Sequence, residues 1–540
     1  MHLRFPRLEL TISKLILLTA AFFTLFLNTA FFRNTYAVYE SVPGGLWFMA
    51  SLSLFLFAVT VLLLSVLCFR FVTKVVLVTV ICGAALTSYF MNRYNIVVDT
   101  TMLTNMQQTD AREVSDLLNA GLIVQFILFG LLPSLLIVKS RIICRGFGRE
   151  ILQRMKLAAG AVLLLCISIA PFTAFYTDFV REHKILRYYT NPATFLYSSG
   201  KFVEMALEQV HPHAKALLGT DAHLPAEDND RELIILVVGE AVRADHLGLN
   251  GYPRQTTPLL SSNKAVISFE EVTSCGTATA YSVPCMFSLQ GRNEFELDEA
   301  GLQENLLDVL THAGVHVLWR DNNSDSKGVA NGVQFEDFRN SDTNTVCDIE
   351  CRDVGMLNGL DDYIQTQANG DIVIVLHQMG NHGPAYYKRF PKDFAAFTPY
   401  CQSNQLEECS DAEIVNAYDN ALLYTDYFLD QVIKFLGSHD EQFETAMYYM
   451  SDHGESLGEN GIYLHGLPFL LAPDNQKHVA SLLWFGKNYA VDEQAVSARR
   501  QLALSHDNYS HTVLGLMEIQ TSVYEPNKDL IVHHEQVALD

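Results

Sequence analysis

Three short apolar runs in the second half of the chain end in polar clusters whose residue types suit metal and proton chemistry. Leu233-Ile-Ile-Leu-Val-Val238 runs into Gly239-Glu240. Ile372-Val-Ile-Val-Leu376 runs into His377-Gln-Met-Gly-Asn-His382, and Ala446-Met-Tyr-Tyr-Met450 into Ser451-Asp452-His453-Gly454-Glu455. A lone carboxylate after a strand is explained by a helix N-cap, and Asp452-His453-Gly454 alone reads better as a capped turn. Glu240 shifts that balance. Two carboxylates, one imidazole and a further oxygen complete a tetrahedral zinc site. The further oxygen is sought in Thr273-Ser-Cys275-Gly-Thr277-Ala-Thr279-Ala-Tyr-Ser-Val-Pro-Cys285. A hydroxyl at a helix start beside zinc loses its proton readily and becomes a nucleophile near neutral pH. Residue chemistry leaves Thr277 and Thr279 both open, and a Ser/Thr-rich cap held by a disulfide explains the segment equally well. His312, His316 and His377 read as structural, and His246 as lying outside the ligand shell.

Such strand ends need an α/β frame to bring them together. Short β-rich runs, including Val315-His-Val-Leu-Trp319, alternate with helix-like spacing at 300–313 and 412–436, which predicts a largely parallel sheet. Chemistry in such sheets lies beyond the carboxyl ends of the strands.

The first third of the chain differs in kind. Hydrophobic residues are 49% of the 540 and charged ones 18%, with the long uncharged runs ahead of about residue 176. Runs near 15–32, 46–68, 72–91, 120–138 and 157–176 are each long enough to cross a bilayer, which takes about 20 residues. Basic residues mark the cytoplasmic loops: Arg4, Arg7 and Lys14, then Arg70 and Lys74, then Lys139, Arg141, Arg145, Arg149, Arg154 and Lys156. The opposite loops hold Arg33, Arg93 and Arg112 among Glu40, Asp99, Asp110, Glu113 and Asp116. Five spans beginning inside place the remainder outside. The expected division is a five-helix transmembrane domain over 1–176, an interfacial helix and polar linker over 177–230, and an exported catalytic domain over 231–540.

Cysteine usage agrees with export, because disulfides persist in oxidising compartments. Cys68, Cys82, Cys144 and Cys166 lie in or beside spans, and the other six fall in close pairs, Cys275 with Cys285, Cys347 with Cys351, and Cys401 with Cys409. Six cysteines allow 15 connectivities, and nearest-neighbour pairing is the expectation from spacing. A formal charge of −23 argues against a nucleic-acid partner.

Five stretches in one order resemble a known family: Gly239-Glu240-x-x-Arg243-Ala-Asp-His, Ser274 to Ser288, Trp319 to Gly328, His377 to Pro384, and Ser451-Asp-His-Gly-Glu-Ser-Leu-Gly458. The chain resembles the bacterial lipid A phosphoethanolamine transferases, which include EptA-type enzymes and mobile colistin-resistance proteins. The resemblance spans the whole chain. It implies an alkaline-phosphatase/sulfatase-like fold for the C-terminal α/β domain. By the same resemblance Glu240, Thr279, Asp452 and His453 are zinc ligands, and Thr279 is also the nucleophile in preference to Thr277. Asn323, Ser324 and Lys327 hold the substrate phosphate, and Glu455 suits the ethanolamine ammonium. His382 and His465 contact substrate or a second zinc during turnover and can protonate the leaving group.

The implied reaction moves phosphoethanolamine from phosphatidylethanolamine to a phosphate of lipid A through a threonine ester. It is carried out by a monomer at the bacterial inner membrane with the catalytic domain in the periplasm. Added amines make the outer surface less anionic, so resistance to cationic peptides such as polymyxin is expected. Rival readings are transfer to lipopolysaccharide core or another surface glycan, a phosphoglycerol transferase, an arylsulfatase, and a non-enzymatic zinc- or lipid-binding receptor. The Cys/Ser-x-Pro-x-Arg context of sulfatases is absent around Thr279.

Overall fold

The structure, a computed structural model, describes residues 9–108, 111–143, 146–208, 215–226 and 230–531. Arg4, Arg7, Asp110, Cys144, Arg145 and the His211-Pro-His213 part of the expected linker lie outside the described residues. By contacts the chain forms two compact units, one of Met1–Leu103 with Leu118–Ala206 and the other of Thr104–Leu117 with Leu207–Asp540.

In the first unit, helices Gly45–Leu67, Thr73–Arg93, Ala120–Lys139 and Phe147–Arg181 are long and apolar enough to cross a membrane. Ile12–Phe26 and Thr29–Tyr39 make a fifth span if the pair, bent by 53°, is counted as one. The expected first span over 15–32 is therefore not one straight helix. Its break falls at buried Asn28, whose amide donates to the carbonyls of Phe23 (2.9 Å) and Asn191 (2.8 Å) and accepts from the Asn191 backbone N–H (2.7 Å). A polar side chain satisfied by backbone is an identifiable cause of such a kink. Helix also continues where a linker was expected, through Ala193–Glu208.

The second unit is built on a seven-stranded sheet. Its elements in chain order are β1 (Glu232–Gly239), β2 (Ile267–Phe269), β3 (Val272–Thr273), α1 (Thr279–Met286), β4 (His316–Asp321), β5 (Gln334–Asp337), β6 (Ile372–His377), α2 (Asp411–Gly437), β7 (Glu444–Ser451), β8 (Ser481–Phe485), β9 (Leu504–Ser505) and α3 (Tyr509–Leu516). The strand order is β2-β8-β7-β1-β6-β4-β5. The five strands from β7 to β5 run parallel, and β8 is antiparallel to both β7 and β2. β3 and β9 form a separate parallel pair.

The central strands β1 and β6 are buried at every residue, as continuous apolar runs in a parallel sheet must be. Ile234, Leu236 and Val238 share a core with Trp319, Tyr448, Met450 and with Val513 and Leu514 of α3. Helix α2 packs on β1 and β7. It starts where Ser410 and Glu413 form a capping box, directly after the Cys401–Cys409 disulfide.

The helix expected over 300–313 begins only at Leu306, because Asn305 and Asp308 cap it there. The other two nearest-neighbour pairs, Cys275–Cys285 and Cys347–Cys351, are bonded as the spacing predicts.

Candidate metal centre and active site

Register decides which residues meet. Gly239 lies opposite Ser451, and His377 opposite both Val238 and Asp321, so four parallel strands end nearly level. The loops starting at Glu240, Asn322, Gln378 and Asp452 therefore leave the sheet along one edge, where α/β sheets bind ligands. Ala241 adopts φ +57°, a left-handed conformation unusual for alanine, and directs its N–H at Asp452 Oδ1 (3.2 Å). Gly380 and Gly454 are required for space. A Cβ at Gly380 would lie 2.9 Å from the Glu240 carbonyl oxygen, and one at Gly454 would lie 2.2 Å from that of Asn475.

Thr279 is the first residue of α1. Its Oγ1 donates to Glu240 Oε2 (3.1 Å) and lies 3.3 Å from His453 Nε2. Thr277 turns away, donating to the Leu467 carbonyl at 2.6 Å. Glu240 Oε1 and Asp452 Oδ2 are buried without a hydrogen-bond partner, and each lies 3.4 Å from His453 Nε2. His453 donates through Nδ1 to the Gly454 carbonyl (2.8 Å), which leaves Nε2 facing the carboxylates to take a proton or a metal ion.

Burial opposes charge on His453, but the Asp452 and Glu240 carboxylates outweigh it and raise the imidazole above its ordinary value. The same field attracts a metal ion. Two orphaned carboxylate oxygens, an imidazole nitrogen and a hydroxyl converging in a buried space fit a divalent cation. Ligand atoms of Glu240, His453 and His465 also lie within 4.8 Å of one another, so the structure brings His465 into this group.

The remaining predicted residues surround that centre. Asn323 donates through Nδ2 to Glu240 Oε2 and to the Gln378 carbonyl, both at 2.9 Å. Ser324 donates through its backbone N–H and hydroxyl to Asn323 Oδ1 (2.6 and 2.9 Å), and Lys327 Nζ donates to Ser324 O and Oγ (2.7 Å each). The loop carrying them is strained, with Asp325 at φ +82° and Lys327 at φ +55°.

Glu455 is fully buried. One of its oxygens accepts from Tyr386 Oη (2.6 Å) and the other from His465 Nδ1 (2.8 Å). With both oxygens engaged, Glu455 orients His465, and an ammonium contact would have to displace one of these partners. Burial pushes the Glu455 carboxyl up to about 7. It holds His465 down at about 3 and His382 at about 4. The His382 and His465 rings lie 5.8 Å apart.

Comparison with known proteins gives this arrangement a family context. Residues 232–519 match the family described as Sulfatase, and residues 56–207 that described as Phosphoethanolamine transferase EptA/EptB. Phosphatidylethanolamine transferase Mcr-2 of Escherichia coli is 42% identical over 515 residues, covering 93% of this chain and 94% of Mcr-2. The chain belongs to the phosphoethanolamine transferase family. Phosphoethanolamine transferase EptA of Escherichia coli K12 is 36% identical over 97% of both chains. The solved integral membrane lipooligosaccharide phosphoethanolamine transferase A of Neisseria meningitidis matches with a TM-score of 0.91 at 34% identity, over 97% of this chain and 99% of that one. This family member accordingly joins an EptA-like membrane part to a sulfatase/alkaline-phosphatase-like part, as expected from the motifs.

Several residues around the candidate site escaped sequence reasoning. Asp353, close behind the Cys347–Cys351 disulfide, accepts from Asn322 Nδ2 (2.8 Å), Met379 N (2.8 Å), Gly380 N (3.2 Å) and Gln378 Nε2 (3.3 Å). It thereby holds the loops after β4 and β6 together. Asp321 pairs with His377 Nδ1 (2.8 Å) and accepts from Trp319 Nε1 (2.9 Å), Asn323 N (3.0 Å) and Asp325 N (3.1 Å), which gives His377 a structural place. His246 is likewise bound to buried Asp419 at 2.8 Å. No motif marks Asp353. The signal for Asp321 was its place at a strand end.

Proposed function

We propose that the chain transfers phosphoethanolamine from phosphatidylethanolamine to a phosphate of lipid A, with Thr279 as nucleophile. The observation that carries the reading is Thr279 Oγ1 at 3.1 Å from Glu240 and 3.3 Å from His453, beside two orphaned carboxylate oxygens, in a member of this transferase family. Glu240, Thr279, Asp452 and His453 hold zinc in this reading, with His382 and His465 available to a second ion during turnover. Zinc supplies positive charge that favours the deprotonated threonine and offsets charge on phosphate oxygens.

Thr279 Oγ1 attacks the donor phosphorus, a new O–P bond forms, and the bond from phosphorus to the glycerol oxygen breaks. The proton that leaves Thr279 Oγ1 is taken up by His465 or His382, which burial keeps neutral, and passes from there to the departing diacylglycerol oxygen. Lys327 and Asn323 hold the phosphoryl oxygens as charge spreads over them. An oxygen of the lipid A phosphate then attacks the same phosphorus, the threonine ester breaks, and Thr279 recovers a proton. Glu455 keeps His465 facing the reacting group.

Two lipid substrates give the membrane unit its use, five spans holding a monomer in the inner membrane with the catalytic unit, residues 231–540, on the periplasmic side. Modified lipid A is less anionic, which leads to polymyxin resistance. The test is mass spectrometry of lipid A from cells producing the parent or Thr279→Ala at equal membrane levels. The expected result is a phosphoethanolamine adduct with the parent only. An adduct at parental levels from the variant would refute the nucleophile, and a phosphoglycerol adduct from the parent would refute the reaction.

A further inference from the structure

We propose that His506 is a positioning residue that fixes the separation between the segment carrying Thr279 and the strand end carrying Asp452 and His453. The inference rests on Thr279 being the nucleophile. In the β3–β9 pair Ser505 lies opposite Thr273, which brings the next residue alongside Cys275. Ser505 Oγ accepts from Asp507 N (3.2 Å), and Ser505 N donates to Asn508 Oδ1 (3.0 Å), closing a turn in which His506 is buried.

Its ring touches backbone on two sides. Cys275 N–H donates to Nδ1 at 3.1 Å, and Nε2 lies 2.9 Å from the Ser451 carbonyl oxygen. The first contact determines the second. A peptide N–H only donates, so Nδ1 carries the lone pair and the ring proton sits on Nε2, where it is given to Ser451. Burial holds the imidazole down at about 4, consistent with a neutral ring.

Cys275 precedes Thr279 by four positions, and Ser451 directly precedes Asp452. A neutral ring thus spans the nucleophile segment and the strand end bearing two ligands, and both of its hydrogen bonds go to backbone. The following residues tie down the chain on the far side of Thr279. Asp507 Oδ1 accepts from Arg292 N (2.9 Å), and Ser510 Oγ donates to the carbonyl of Met286 at the end of α1 (3.0 Å). A brace of this kind matters through distance, since a reacting atom misplaced by about 1 Å loses on the order of 100-fold in rate.

The test uses the full chain with phosphatidylethanolamine in mixed micelles. The burst amplitude of diacylglycerol release counts competent sites, and its rate constant reports the attack step. His506→Phe removes both hydrogen bonds and keeps the ring volume. His506→Gln restores one acceptor and one donor. The expected result is a rate constant lowered by about 10- to 100-fold in His506→Phe, with zinc content, amplitude and KM kept. His506→Gln recovers part of that loss, with the parental shape of the pH–rate profile. A parental rate constant in His506→Phe overturns the proposal. So does a reduced amplitude at unchanged rate, failure of His506→Gln to improve on His506→Phe, or a shifted limb in its pH profile. Thr279→Ala, run alongside, separates the two readings. Activity in Thr279→Ala sinks the nucleophile itself, whereas an inactive Thr279→Ala with a fully active His506→Phe sinks only the brace.

Discussion

Asp353→Asn changes one buried oxygen into an NH2 group and should cost far more than its size suggests. The carboxylate is 3% exposed and is met only by donors, with Asn322 Nδ2 and Met379 N on Oδ1, and Gln378 Nε2 and Gly380 N on Oδ2. An asparagine must turn its amide nitrogen toward one of these pairs. Two donors then face a donor and stay buried without an acceptor. Hydrogen bonds to a charged group contribute about 1.5 to 3 kcal/mol each, so two lost bonds predict a destabilisation of about 3 to 6 kcal/mol. For a domain of about 300 residues that lowers the thermal midpoint by roughly 5 to 10 °C.

Activity should fall as well, because Gly380 and Asn381 are backed onto the Glu240 backbone, Asn381 N donating to its carbonyl at 3.0 Å. The assay is thermal unfolding of the zinc-loaded full chain in detergent, with Asn322→Ala as a reference that removes the amide bonded to Asp353 and to the Cys351 carbonyl and leaves the carboxylate. Asn322→Ala should lose less, because it leaves no donor facing a donor. A melting curve for Asp353→Asn within about 2 °C of the parent would refute the reasoning, since it would mean that the four contacts carry no net energy.

Four further outcomes are expected. Lys327→Gly should abolish transfer as the ammonium is lost, and should be more stable than Lys327→Ala by about 1 kcal/mol in urea unfolding, because both lose the bonds to Ser324 and only glycine relieves the left-handed φ of +55°. Replacing both Cys275 and Cys285 by serine opens a loop of sequence separation 10 and should lower stability by about 3 kcal/mol, read from denaturant midpoints under oxidising conditions. Chelation should stop transfer and lower the melting point, and zinc at about 100 times its dissociation constant should restore about 2.7 kcal/mol. Asp116 is paired with Lys388 and with buried Arg389 (2.9 Å), and despite its burial the two cations hold its carboxyl below the usual range. Its contribution is therefore present above the ordinary carboxylate pKa and lost as pH falls through the depressed one. Asp116→Asn should cost about 3 kcal/mol at neutral pH and speed hydrogen exchange of Thr104–Leu117.

What could be read in the sequence was whatever is written locally. β1, β6 and β7 are apolar runs, and the polar residues that follow each run name the ends of the strands. Close cysteine pairs name their own partners. The break at Asn28 and the late start of the helix at Leu306 were missed because single polar residues override a hydrophobic pattern. Asp353 and His506 were missed for a different reason. His506 binds only backbone of segments distant in the chain, and Asp353 binds the Met379 and Gly380 backbone beside two amide side chains, and backbone carries no residue type from which a motif could be recognised.

The centre itself depends on that same hidden level. Glu240 and Asp452 face one point only because Gly239 pairs with Ser451, and a slip of one residue would send either side chain to the opposite face of the sheet. Nothing in Gly239-Glu240 or Ser451-Asp452 sets that register. In that register Ile234, Leu236, Val238, Tyr448 and Met450 share one core, while Leu233, Ile235 and Val237 are buried on the opposite face. The ordinary hydrophobic residues of two strands thus support the site from beneath. A polar substitution at Leu236 should therefore disturb the centre from beneath without touching any residue that performs chemistry.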